Sequence, residues 1–529
     1  MVQGRGDRGA VAVTGLRSAK ASAERLCHNT DLRFRYRILL AIALGSSLLG
    51  ADASAADGRW TLVRAHDLTV IGDQPVDTLR DIASRLERFR IGVSGLIPDA
   101  DRPLPVPAVV FVFGTRKAMQ PFLPLTKSGR PAPLGGYFQR DADVNYIALG
   151  LEGFDESLPV VFHEYTHLLL RNAVRSVPVW LNEGLAEYYS TFKVTGDGTT
   201  ADAGRPIVPH VRLLRERYMP IAELIAVDAG SELYDEAARR SIFYAESWAL
   251  THYLMVEVPD GPAHINQYVT EIARGRRASD AFFDAFGATP DKFDEQLRQY
   301  VAHPAFRWRV LSLRDRAQSA IDDKGRTLSA GEADAWLGDL QRRIHRTRDA
   351  GNRIESAIRA DDTAAVTHLA LGLLRIEEGR ISEAWPALER AVAIAPDDFM
   401  TEYAYGASLL REAAQVDGQV ADATALAHSQ AALTAATTIN PYASEAWSWL
   451  AYAFMLDDDR LPKAEEAIER AIELAPGRLE YRLRWADINI LSGHIADARK
   501  LLTELAALTT DRNIAEAAQR RLDAIARSR

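Results

Sequence analysis

His163-Glu164-Tyr165-Thr166-His167, followed sixteen residues later by Glu183 within Trp180-Leu181-Asn182-Glu183-Gly184-Leu185-Ala186-Glu187, is the stretch that decides how this chain is read. On a helix, His163 and His167 are i and i+4, so their imidazoles leave one face about a turn apart. Ser157 and Pro159 mark a helix start, and Val160 to Leu170 is apolar enough to form a buried helix. Ser176-Val177-Pro178 opens a second helix, on which Glu183 and Glu187 share a face. Two adjacent helices then present two imidazoles and one carboxylate to a single point. That is a three-ligand set for zinc, with the fourth position left to water. Glu164, next to the first ligand, is placed to take that water's proton. The plainer reading makes His163 and His167 core histidines and Glu183 a solvated surface residue. Burial cost opposes it, because several ionisable groups in an apolar helix pair are expensive unless paired or metal-bound.

The pair His163-Glu164-x-x-His167 and Trp180-Leu181-Asn182-Glu183-Gly184-Leu185-Ala186 resembles the gluzincin metallopeptidases, over roughly residues 60–310. The resemblance implies a zincin-like α+β domain that hydrolyses peptide bonds. It makes Glu183 the third zinc ligand and Glu187, one turn on, a hydrogen-bond partner of a ligand histidine, which would fix that imidazole's tautomer. Aminopeptidase-like members carry a tyrosine beyond the third ligand that donates to the developing oxyanion. Tyr244, sixty-one residues past Glu183, maps onto it. An ordinary core aromatic is the alternative for Tyr244, and His210 and Tyr188 are alternatives for the oxyanion role. His252 reads as a packing residue. A Gly-x-Met-Glu-Asn-type segment is missing, so an exopeptidase lacks its anchor for a free amine. Gly135-Gly136-Tyr137-Phe138 and Asn145 to Leu149 read as two strands before the metal helix, where gluzincins pair an edge strand with an extended substrate.

The 529 residues exceed what one core supports and suggest two or three domains. The hydrophobic content of 47% and charged content of 26% are those of a soluble globular protein, and a net charge of −9 implies no nucleic-acid partner. Arg33, Arg35 and Arg37 precede the apolar run Ile38 to Gly50, and Ala53-Ser54-Ala55 supplies a small-residue cleavage site. This is a secretory signal, too short for a comfortable span, and it predicts a periplasmic or secreted protein with no membrane span once cleaved. An uncleaved N-terminal anchor is the alternative. Residues 1–55 are therefore set apart from the fold as leader and signal, and the remainder carries −13. Cys27, the single cysteine, lies in that leader, which excludes a disulfide framework and a thiolate zinc site from the rest.

Strands are expected at Trp60 to Val63, Leu68 to Ile71 and Pro107 to Phe113, with a helix from Asp77 to Ile91. Together they form a small α+β lobe in front of the metal helices. Residues 195–209 read as a Gly-rich loop, a flap or a surface insertion, and Val211 to Trp308 as helical. Farther on, Gly338, Gly372 and Gly406 are spaced by 34, and Ala350/Ala384, Ile354/Leu388 and Ala357/Ala391 keep that step. The unit resembles a tetratricopeptide repeat. Further units hold Trp447, Leu450, Ala464, Ile468, Ala471 and Pro476, then Trp485, Ala486, Gly493, Ala498 and Leu502, after an insertion of about eleven residues around Ala413 to Gly418. The expected layout is 1–55 leader, 56–310 metallopeptidase domain and 311–529 helical repeats, whose concave surface suits a protein partner. The expected function is an exported zinc endopeptidase acting on a peptide or protein. The rival is a non-catalytic envelope scaffold in which the repeats carry the function.

Overall fold

β-Branched and aromatic runs build the sheet that supports the site. The strands are β1 (Thr61–Ala65), β2 (Leu68–Gly72), β3 (Ala108–Phe113), β4 (Gly136–Gln139) and β5 (Asn145–Gly150), with β9 (Arg326–Thr327) added late in the chain. Their order is β4-β5-β3-β2-β1-β9. β2, β3 and β5 are parallel, with Leu68 opposite Ala108 and Ala108 opposite Asn145, whereas β1 and β4 run antiparallel to their neighbours. α1 (Val76–Val93) crosses from β2 to β3. β4 and β9 are the sheet's two edges.

The computed structural model describes residues 59–65, 68–94, 103–126, 128–141, 143–152, 154–173, 177–227, 237–273, 276–303, 305–313, 324–413, 420, 422–507 and 512–527. The signal segment with Ala53-Ser54-Ala55, Cys27, Ser176 and residues 414–418 lie outside the described residues.

Period-two alternation splits each strand between two cores. Val63, Val70, Ala108, Val110, Val112, Ile147 and Leu149 face a core shared with α1, α2 (Phe154–Ala173), α3 (Val179–Ser190) and α6 (Ala237–Val256). Leu62, Ile71, Val109, Phe111, Phe113, Tyr146 and Ala148 face the other core, which runs on without a break into the C-terminal helices. α4 (Val208–Glu216), α5 (Ile221–Ala226), α7 (Gly261–Ala273), α8 (Ala278–Phe286) and α9 (Pro290–Ala302) complete the first unit.

Two expectations need correction. The first metal helix starts at Phe154, so Pro159 sits inside it rather than opening it. That costs one intrahelical hydrogen bond near the N-terminus, to the carbonyl of residue 155, which a helix packed on the sheet tolerates. The Gly-rich loop over 195–209 is largely a hairpin of β6 (Lys193–Thr195) and β7 (Thr200–Ala203), then the start of α4. Gly196 and Gly198 supply the positive φ its turn needs, and β8 (Arg309–Ser312) pairs with β7 as the third strand. β8 and β9 thus place residues 309–312 and 326–327 in the sheets of the first unit.

The C-terminal part is an array of antiparallel helix pairs in the tetratricopeptide arrangement. The pairs are α10 (Ala330–Arg343) with α11 (Thr347–Ala360), α12 (Ala365–Glu377) with α13 (Ile381–Ile394), α14 (Phe399–Ala413) with α15 (Ala423–Ile439), α16 (Ser444–Met455) with α17 (Leu461–Leu474) and α18 (Leu479–Leu491) with α19 (Ile495–Ala506). α20 (Arg512–Arg527) packs against the last pair. The 34-residue glycines have one job. A Cβ on Gly338, Gly372 or Gly406 would lie 2.6–2.8 Å from Ile354, Leu388 or Leu433 of the partner helix. The partner is sixteen residues on in the first two pairs and twenty-seven in the third, so the insertion of eleven falls between α14 and α15.

A buried ionic knot fastens this array to the sheet. Arg343 of α10 donates to Asp339 at 2.8 Å, to Asp141 at 2.7 Å and to Asp143 at 2.6 Å, and Tyr146 of β5 donates to Asp339 at 2.5 Å. Burial pushes the Asp339 carboxyl up, but Arg342 and Arg343 outweigh it and hold it well below the usual carboxylate range. Asn440, after α15, donates to the Leu104 carbonyl at 3.1 Å.

Candidate metal centre

α2 is buried from Val161 to Leu170 except at one residue, Glu164. Its inner face is fixed by aromatic packing: Phe89 of α1 stacks on Phe162 at 4.3 Å and lies 5.7 Å from Tyr165. That packing leaves His163 and His167 to meet the neighbouring helix α3. α3 comes close to α6 because Gly184 has no side chain. A Cβ there would sit 2.1 Å from Thr251 Oγ1 and 2.4 Å from the Ser247 carbonyl. The close approach carries Glu183 to the histidines. It also brings Tyr244, on the same α6, to a ring-centroid separation of 6.4 Å from His163.

The structure brings together three donors of the expected set. His163 Nε2 lies 3.1 Å from His167 Nε2, and each lies 3.4 Å from Glu183 Oε2. Donors about 2.0–2.2 Å from a tetrahedral ion stand roughly 3.3–3.6 Å apart; the two edges to Glu183 fall in that range and the imidazole–imidazole edge is a few tenths of an ångström shorter, so a small opening of the two rings would seat one zinc. All three side chains are buried. Among the described residues, theirs is the group of His, Cys, Asp and Glu that could hold a metal.

Charge in the site suits a cation. Burial works against a charged His163, yet Glu183, Glu187 and Glu164 raise it to about 9. Burial also disfavours a charged Glu183, but His167 and His163 hold it well below the usual range. Three carboxylates around two imidazoles leave an excess negative charge that a divalent ion would neutralise. Glu187 lies behind His163: its Oε1 is 3.5 Å from His163 Nδ1, on the side away from the other donors. His210 of α4, which sequence reasoning offered only as an oxyanion alternative, is instead 3.3 Å from Glu187 Oε2. A lone histidine twenty-three residues on, in another helix, gave no periodic signal of that pairing. Burial pushes Glu187 up, but His210 and His163 outweigh it and lower it.

Tyr188 packs against His252 at 5.8 Å and beneath Gly204, among core aromatics. His252 is buried, 2.7 Å from the Tyr300 hydroxyl, and bonded to the Gly204 carbonyl, which ties β7 to α6. Burial lowers its pKa to about 4, and the neutral ring is a packing element.

No family model matches this chain, and no curated protein matches it. Solved structures similar to part of it are helical-repeat proteins. PilF of Pseudomonas aeruginosa is 19% identical over 37% of this chain and 91% of its own, with a TM-score of 0.29. MamA of Desulfovibrio magneticus RS-1 is 18% identical over 34% and 93%, with a TM-score of 0.29. YrrB, described as a TPR protein with an unusual peptide-binding site, is 15% identical over 36% and 91%, with a TM-score of 0.30. The paired-helix array described above rests on its own contacts rather than on these likenesses.

Proposed function

We propose that this chain is an exported zinc metallopeptidase whose helical array is a protein-binding module. The reading is carried by the donor triangle of 3.1, 3.4 and 3.4 Å beside Glu164, the one residue of Val161 to Leu170 that is only half-buried. When bound, zinc would supply Lewis acidity toward a peptide carbonyl and make a nearby water easier to deprotonate. His163, His167 and Glu183 would hold the ion, and Glu187, steadied by His210, would orient His163. Glu164 takes the proton of the attacking water. The water's oxygen bonds to the carbonyl carbon as that proton leaves, and Glu164 then delivers the proton to the departing nitrogen as the carbon–nitrogen bond breaks. Tyr244 donates to the oxygen that gains charge. β4, at an edge of the sheet and packed along α2, is where an extended peptide would add as a further strand, which suits internal cleavage.

A second reading is an interaction scaffold, favoured by the size of the paired-helix array, since such arrays offer extended binding surfaces. One experiment separates the two. Cleavage of a denatured-protein mixture is followed for the wild type with and without chelator, and for Glu164→Gln. The peptidase reading expects chelator to stop cleavage and Glu164→Gln to keep its metal while losing about 10²–10⁴-fold in rate. Unchanged turnover in Glu164→Gln removes Glu164 as the base. No cleavage by metal-loaded wild type leaves the scaffold.

A further inference from the structure

β6, β7 and β8 form a small sheet with one buried face and one open face. Val194, Ala201 and Leu311 stand opposite one another and face the core of the first unit. Alternation puts their neighbours on the other face. There Asp202 lies between Lys193 and Val310, and Thr200 between Thr195 and Ser312. Trp308, two residues before Val310, continues that face. Arg205, just past β7, reaches back across it. Its Nε is 3.5 Å from Asp202, and its guanidinium lies 5.1 Å from the centre of the Trp308 ring.

The open face of such a sheet is ordinarily polar. Here Val310 is 64% exposed and Trp308 40% exposed. Val208, at the start of α4, is 64% exposed. It belongs to the same corner: His210 and Phe306, each two residues away from Val208 or Trp308, both pack on the Trp248 ring, at centroid separations of 6.1 and 5.8 Å. Six large apolar side chains are exposed among the described residues, and these are three of them, so they form a patch rather than a scatter. The free charges around the patch are cations. Lys193 and Arg212, the latter one turn after Val208, are exposed, and among the described residues neither side chain has a hydrogen bond or ion pair. The nearby acids are engaged or distant. Asp202 is buried under Arg205, Asp197 in the β6–β7 turn accepts from the Thr199 N–H at 3.1 Å, and Glu216 is at the far end of α4. The whole chain carries −9, so this balance is local.

A second copy docked here would set these cations against each other. An anionic lipid surface would not. Its phosphates would take the cations, and the headgroup boundary is where an indole with apolar neighbours is favoured. Among the described residues no helix is long and apolar enough to cross a membrane, so the contact is peripheral. We propose that the open face of β6, β7 and β8, with the start of α4, binds an anionic phospholipid surface. Trp308, Val310 and Val208 enter the headgroup layer, and Lys193, Arg205 and Arg212 meet its phosphates. The proposal does not depend on the peptidase reading, and its test reads no turnover.

The chain from residue 56, which leaves out the apolar run Ile38 to Gly50, is sedimented with two kinds of vesicle. One is equal parts phosphatidylcholine and phosphatidylglycerol, and the other is phosphatidylcholine alone. The wild type should bind the mixed vesicles about tenfold more tightly or better, and salt should weaken that binding. Trp308→Ser with Val310→Ser, and separately Lys193→Glu with Arg212→Glu, should each lower binding to the mixed vesicles by about tenfold or more. All four positions are exposed, and thermal melting checks that each variant is folded. Phe283→Ser on α8, where the native side chain is 51% exposed, is the control and should bind as the wild type does. A wild type that ignores the mixed vesicles, or binds both kinds equally, overturns the proposal. So does binding that survives either double substitution, or an equal loss in Phe283→Ser. A wild type that ignores lipid but self-associates through Trp308 and Val310 assigns the face to a second copy and equally overturns it.

Discussion

Glu164 shows how much a single position can say. Its neighbours in α2 are buried, and it alone is half-buried, next to a pair of histidines whose donors are 3.1 Å apart. The i, i+4 histidines and the Asn182-Glu183-Gly184 segment were legible because helical periodicity alone sets which side chains share a face. The role of His210 was not, because its partner Glu187 belongs to a different helix and no sequence spacing encodes the packing of α4 on α6. Glu246, fully buried on α6, was also invisible. Burial raises its pKa to about 8; the Met219 N–H, donating to its Oε1 at 3.1 Å, opposes this, and Asp294 adds to it. The folded state therefore holds a proton that the unfolded chain releases near 4.5. Stability falls as pH rises from there to about 8, by an amount of order a few kcal/mol. Glu246→Gln has no proton to lose. Its melting temperature should exceed that of the wild type by several degrees at pH 8.5 and match it near pH 5. An unchanged pH slope in thermal unfolding would reject this assignment.

At the scale of elements, the contact of α3 with α6 sets the site. Gly184 permits it, and the same contact places both Glu183 and Tyr244. Gly184→Ala drives a methyl into Thr251 and the Ser247 carbonyl, so overpacking should cost about 3 kcal/mol and weaken metal binding. Gly351→Ala in α11, where a Cβ meets nothing within 4 Å, is the control and should leave metal binding alone while stabilising slightly. Chemical denaturation and a zinc titration read both. Equal effects of the two substitutions would show that the close approach does not matter. The 34-residue step of Gly338, Gly372 and Gly406 was readable because each glycine faces its own partner helix, a local contact that repeats. The hairpin over 193–203 was not, because its third strand comes from Arg309–Ser312, more than a hundred residues away.

The whole molecule is not two beads on a string. Phe111, Phe113 and Tyr146 lie on the sheet face that shares a core with the array, and Arg343 locks that face to the β4–β5 turn. A sequence read element by element could not give this, since an unbroken apolar run such as Ala108–Phe113 shows that a strand has two buried faces but not what covers the second. A chain ending at Leu328 would expose that face. It should be insoluble or lack a cooperative unfolding transition, whereas a soluble, cooperatively melting fragment would show that the first unit folds alone. The proposed enzyme itself depends on one ion held by α2 and α3. The most direct measurement is elemental analysis of the purified chain from residue 56, wild type beside His163→Ala, after dialysis against metal-free buffer. The account predicts one zinc per wild-type chain and almost none in the variant. Full zinc retention in His163→Ala, or a wild type that binds none when zinc is offered, would contradict it.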